Sequence, residues 1–116
     1  MKNTFITGSH AYGKPTTGSD LDIAILMGPA DAVRLEDTLT DQRRGGGGGT
    51  GRSDIMHSSY YLGGRPRVNL LVFTDAEQFE VWRKATEFLK GKAPVTRDQA
   101  IKYIRRKLAK AGFIDE

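Results

Sequence analysis

Six of the seven residues from 45 to 51, GGGGGTG, are glycine, and a run without side chains holds a helix or strand only at a large entropic cost. Whatever fold forms must be built from the two flanking stretches, 1–44 and 52–116, with a flexible loop at 45–51 between them. The loop is assigned no catalytic role. A glycine cradle for phosphates needs a strand before it, a helix after it and a Gly-Lys-Ser/Thr ending, and none of these surrounds the run.

With 116 residues the expected organisation is one domain, 1–116, around one modest core. No stretch nears the roughly 18 apolar residues of a membrane span, and "MKNTFITGSH" does not resemble a signal peptide, so a cytoplasmic, membrane-free protein is expected. The absence of cysteine removes disulfides, thiolate metal sites and a cysteine nucleophile. Charge is uneven: residues 1–64 carry six Lys/Arg against seven Asp/Glu, and residues 65–116 carry twelve against seven. The basic half favours anionic partners, nucleotides or nucleic acids among them.

"NTFITGS" reads as a short strand. In "SDLDIAILM", Leu21, Ile23 and Ile25 alternate with Asp20, Asp22 and Ala24, so both carboxylates share one face of a second strand. A helix is expected from about Ala30, with Pro29 near its first turn and Ala32, Val33, Leu35 and Leu39 on its apolar side. "IMHSSYYL" and "RPRVNLLVF" predict a hairpin closed by a Gly63-Gly64 turn. Two C-terminal helices follow. The first has Thr74 and Glu77 as a capping box, Phe79, Trp82, Ala85, Phe88 and Leu89 as its apolar face, and Gly91 as its stop. The second starts with Thr96 and Gln99, ends at Gly112, and carries the stripe Ile101, Ile104, Leu108 and Ala111. Its six remaining cations, without interleaved exposed aromatics, read as a solvated face rather than a nucleic-acid surface. The order of elements gives an α/β or α+β fold with a mixed β-sheet flanked by helices.

Two carboxylates at i and i+2 on one strand face repel unless a cation lies between them. A hard divalent cation is suited to them, and Mg²⁺ characteristically binds one or two carboxylates together with substrate phosphates. The Gly8-Ser9 turn upstream offers close backbone approach and a hydroxyl for phosphate oxygens. The pair thus suggests a metal-nucleotide site.

Gly8-Ser9, Gly13 and Ser19-Asp20-Leu21-Asp22 followed by "IAIL" closely resemble the signature of the DNA polymerase beta-like nucleotidyltransferase superfamily, particularly its small stand-alone members. The resemblance covers about residues 5–27. It implies the nucleotidyltransferase fold, ATP or another nucleoside triphosphate bound with Mg²⁺, and transfer of a nucleoside monophosphate, AMP in the first instance, to an acceptor. It further implies metal binding by Asp20 and Asp22 and phosphate contacts from Gly8 and Ser9. His10, Lys14 and Ser19 join the nucleotide-binding set by their place in the motif. Small relatives serve as antitoxins in toxin-antitoxin pairs and occur in phages, so the resemblance allows a protein acceptor as well as a nucleic-acid one. The shortness of the chain suggests that a homodimer or a partner protein completes the cleft.

The family's third carboxylate, on a later strand, aligns with Asn69 in "RVNLLVF". An asparagine offers a carbonyl oxygen but neither a negative charge nor a site for the acceptor's proton. Three readings stand: Asp54 or Asp75 supplies the acid, the site works weakly with two acids, or the chain is a catalytically impaired module that binds a nucleotide, nucleic acid or protein. Arg65 and Arg67 are candidate anion contacts. Of the remaining residues, His57 reads as strand surface, and Tyr60 and Tyr61 read as packing residues or as a platform for a base.

Overall fold

The computed structural model describes residues 3–41 and 50–115. Nine elements follow in order: β1 (Thr4–Thr7), α1 (Ser9–Tyr12), β2 (Leu21–Leu26), α2 (Pro29–Asp41), β3 (Thr50–Ser53), β4 (Met56–Leu62), β5 (Val68–Phe73), α3 (Ala76–Lys90) and α4 (Arg97–Lys110). The five strands form one sheet in the order β1-β2-β5-β4-β3. β2 and β5 run parallel and the other neighbours antiparallel, so this is an α+β fold on a mixed sheet.

Helices cover both faces of the sheet, which explains why β2 and β5 read as nearly continuous apolar runs. On one face Ala24, Leu71 and Phe73 pack with Tyr12 of α1, with Phe79, Trp82, Ala85 and Leu89 of α3, and with Ile104 and Leu108 of α4. Phe73 meets Phe79 and Trp82 edge-on, at centroid distances of 5.7 and 5.5 Å. The opposite face is closed by α2, whose Ala32, Leu35 and Leu39 pack with Ile25, Tyr60, Leu70 and Val72. Among the described residues no helix is long and apolar enough to cross a membrane.

Several local expectations shift. Thr50 and Gly51 belong to β3 rather than to the loop, and residues 45–49 lie outside the described residues. The pairing of Leu62 with Val68 leaves residues 63–67 as the β4–β5 connection, longer than a two-glycine turn. Pro66 has no N–H to give to a ladder, so β5 cannot begin before it. Asp75, not Thr74, caps α3, its Oδ1 accepting from the Gln78 N–H at 2.9 Å; both residue types cap well, and the carboxylate is the stronger acceptor. On α4 the capping box of Thr96 and Gln99 forms as expected. Val33, Phe88 and Ala111 are exposed, while Ala100 takes a core position on α4.

Candidate functional site

The register of the sheet assembles the site. Because β1 is antiparallel to β2, the end of the first strand lies beside the start of the second, and Thr7 pairs with Asp22. Asp22 pairs with Asn69 across the parallel ladder, and Asn69 with Tyr61. Paired residues point to the same face, so Thr7, Asp22, Asn69 and Tyr61 form one row across four strands. This row floors a cleft of about 530 Å³. Gly8, Ser9, Gly13, Lys14, Ser19 and Asp20 form one wall, while Val95, Thr96, Arg97 and Ile101 approach from the start of α4.

Gly8 explains how the strand ends can come so close. Its φ of 71° is in the region that favours glycine, and a Cβ placed there would lie 2.0 Å from Asp22 Oδ2. The backbone therefore rests directly against the carboxylate. Gly13 has a similar role one turn on, since a Cβ there would lie 2.9 Å from the Cα of Ser9. The expected Gly-Ser turn is in fact the entry to a one-turn helix, in which the N–H groups of Ala11 and Tyr12 donate to Gly8 O at 2.9 and 3.1 Å.

Beneath the row is a buried hydrogen-bonded group. Thr86 donates its hydroxyl hydrogen to Trp82 O at 2.9 Å, so Thr7 must donate to Thr86 Oγ1, also at 2.9 Å, while accepting from Trp82 Nε1 at 3.2 Å. These bonds fix the end of β1 against α3. A further bond, from Val95 N–H to Tyr12 O at 2.7 Å, ties the α3–α4 connection to α1 and brings Arg97 to the cleft.

Electrostatics set the two aspartates apart. Burial pushes the Asp22 carboxyl above the usual carboxylate range, the Asn69 amide pulls it back by hydrogen bonding, and the charge of Asp20 raises it further. Arg97 and His10 favour its ionised form. Burial likewise raises the Tyr12 phenol, and the charge of Asp22 raises it further. Arg67 Nε stands 3.3 Å from Asp20 Oδ1, at ion-pair distance but outside hydrogen-bond geometry. Asp20 Oδ1 and Asn69 Oδ1 are buried without a hydrogen-bond partner, and both belong to residues that line the cleft. Two buried oxygens without hydrogen-bond partners beside a second carboxylate fit a hard cation, which takes oxygen ligands and would compete with Arg67 for Asp20. Among the described residues no three His, Cys, Asp or Glu side chains gather as a metal-binding group.

The expected residues separate clearly. Asp20, Asp22, Asn69, Gly8, Ser9, Lys14 and Ser19 all line the cleft. His10 does not; it is exposed on α1 and reaches Asp22 only through its charge. Ser19 Oγ accepts from the Thr16 N–H at 2.8 Å and so also braces the loop. Asp54 is held by Arg105 at 2.9 Å and Asp75 is the α3 cap, and neither lines the cleft. Tyr60 is buried at 2 % exposure and unavailable to a ligand, whereas Tyr61, 47 % exposed, lines the cleft. His57 bonds Ser58 Oγ at 3.2 Å, away from the cleft lining. Sequence reasoning missed Thr7, Tyr12 and Arg97, none of which carries a local signal. No family model, no curated protein and no solved structure matches this chain.

Proposed function

We propose that this protein is a nucleotidyltransferase that moves a nucleoside monophosphate, AMP in the first instance, from a nucleoside triphosphate to an acceptor hydroxyl. The observation that carries the reading is the pair of buried oxygens without hydrogen-bond partners, Asp20 Oδ1 and Asn69 Oδ1, in one cleft with Asp22 and the Gly8-Ser9 segment. Asp20 and Asp22 would hold Mg²⁺, with the Asn69 carbonyl oxygen as a neutral third donor. Mg²⁺ bound there would neutralise charge on the attacking and leaving oxygens. The chain's own part is positioning. Gly8 leaves room for the Asp22 carboxylate, the Ser9 hydroxyl and Lys14 ammonium orient phosphate oxygens, and the exposed ring of Tyr61 offers a surface to a base.

A second reading is favoured by Asn69 itself. Its amide gives Asp22 a hydrogen bond but adds no charge, which suits a module that binds nucleotide without transferring it. Calorimetric titration of wild type and Asn69→Asp with a non-hydrolysable ATP analogue, with and without Mg²⁺, tests both. The proposal expects Mg²⁺-dependent binding by wild type and release of pyrophosphate when ATP is supplied with an acceptor. Binding without pyrophosphate release supports the second reading, and no wild-type binding refutes both.

A further inference from the structure

Arg97 lines the cleft, yet nothing in the fold accounts for a cation at that position. It is the first residue of α4, where the free N–H groups of the helix make the local field positive and favour acids. Asp98 beside it follows that preference, and Arg97 opposes it. Thr96 and Gln99 cap the helix without its help, and Val95 is anchored on Tyr12 by the backbone, so the guanidinium is not needed to hold the α3–α4 connection. Among the described residues Arg97 makes no hydrogen bond or ion pair. Arg105 of the same helix, by contrast, is held by Asp54 at 2.9 Å, and Arg67 stands beside Asp20. An exposed cation set against the local field, unpaired and at the edge of a cleft, is suited to an anion from outside the chain.

The cleft itself indicates which anion. Its lining changes character along the sheet order: Ser9, Lys14, Asp20 and Asp22 lie toward β1 and β2, and Ile55, Met56 and Tyr61 toward β4. The bond from Val95 to Tyr12 sets the start of α4 beside α1, and the charge of Arg97 acts on both Tyr12 and Asp22. Arg97 therefore belongs to the charged side of the cleft. It stays beyond ion-pair distance of Asp22, which leaves room for a ligand between them.

We infer that Arg97 binds the β- and γ-phosphates of the nucleoside triphosphate, the part that leaves as pyrophosphate. This role rests on the nucleotide-binding reading of the cleft. The α-phosphate must lie at Asp20 and Asp22 for Mg²⁺ held there to act on it, so an arginine set back from Asp22 on the charged side meets the phosphates further along the chain. In the transfer the acceptor oxygen bonds to the α-phosphorus, and the bond from that phosphorus to the bridging oxygen breaks. The electron pair leaves with pyrophosphate, and the acceptor's proton passes to solvent. A planar guanidinium offers two parallel N–H bonds to phosphate oxygens and opposes the negative charge that grows on the leaving group. Lys14 contributes a point charge without that geometry.

Calorimetric titration with a non-hydrolysable ATP analogue and with AMP, both in Mg²⁺, tests this role on wild type, Arg97→Ala and Lys102→Ala. Lys102 is an exposed cation of the same helix outside the cleft lining, and serves as the control for net charge. Arg97→Ala should bind the analogue about 10- to 100-fold more weakly, the loss of a charge-assisted contact, and AMP as wild type does. Lys102→Ala should match wild type with both. Thermal melting followed by circular dichroism checks that the variants fold. Unchanged analogue binding by folded Arg97→Ala, an equal loss for AMP, or an equal loss in Lys102→Ala overturns the role of Arg97 while leaving the nucleotide reading in place. Failure of wild type to bind the analogue overturns both.

Discussion

Gly8→Ala isolates the contact on which the site depends. At φ 71° and ψ −158° the residue occupies a region populated almost entirely by glycine, where an alanine costs about 1–3 kcal/mol. The added Cβ would lie 2.0 Å from Asp22 Oδ2, 2.9 Å from its Cγ and 3.2 Å from its Cβ. The whole carboxylate must therefore swing away, breaking its hydrogen bond with Asn69 at a further cost of about 1–3 kcal/mol. Reduced freedom of the unfolded chain returns about 0.4–1 kcal/mol. The net expectation is a loss of about 1–5 kcal/mol, or roughly 4 °C in Tm for each kcal/mol in a chain of this size. In an Asp22→Ala background Oδ2 and Cγ are gone, and the cost of the same change falls to its backbone part. A double-mutant cycle should thus give a coupling of about 1–3 kcal/mol between residues 8 and 22. Urea unfolding followed by the fluorescence of Trp82, the single tryptophan and a buried neighbour of the site, measures all four variants. A cost below about 1 kcal/mol in wild type, or an equal cost in both backgrounds, refutes the reasoning.

Three further outcomes follow from the same geometry. The Asp22 carboxyl holds its proton more tightly in the folded than in the unfolded state, so stability is lost as pH rises from the ordinary carboxylate range through the raised folded value, and stays low above it. Asp22→Asn should raise Tm at neutral pH and flatten that part of the profile; an unchanged profile contradicts the assignment. Thr7→Val leaves the buried Trp82 Nε1–H without its acceptor and Thr86 Oγ1 without its donor, and should cost about 2–4 kcal/mol by urea unfolding. Arg67→Ala removes an arginine that is 65 % exposed, so stability should change by less than about 0.5 kcal/mol. By freeing Asp20 it should tighten Mg²⁺ binding, as calorimetry would show; weaker binding means that Arg67 assists the site.

What the sequence displayed was local. Alternation in "SDLDIAIL" suffices to put Asp20 and Asp22 on one face, whereas Asn69 is singled out in the sequence only by the family resemblance, and the β2–β5 register is what sets it opposite Asp22. The Thr96 box works because both partners lie within one turn. The supporting side chains are different. Trp82 and Thr86 meet Thr7 across 75 and 79 residues, and nothing near any of them announces the meeting. Arg97 reaches the cleft because Val95 is tied to Tyr12, a single backbone bond that no periodicity encodes. Tyr60 and Tyr61 are adjacent in the sequence and opposite in fate, decided by the register with Leu70 and Asn69. The stack of Phe88 on Tyr103 needs two helices in place before it exists at all.

The register also explains what an asparagine does at position 69. Asp22 is destabilised in its charged form by burial and by Asp20, and the Asn69 amide is the strongest opposing influence on it. An aspartate there would remove that donor and add a third negative charge to the same row, making the empty cleft less stable. It would also attract a cation more strongly. Asn69 thus favours the stability of the ligand-free protein over cation affinity, and on the proposed reading the missing charge comes from the substrate. A triphosphate would supply it. Mg²⁺ alone should therefore bind wild type weakly and bind Asn69→Asp more tightly, while the Mg²⁺-triphosphate complex should bind both. If wild type takes up Mg²⁺ without nucleotide as tightly as Asn69→Asp does, the charge at position 69 is irrelevant and the metal lies elsewhere.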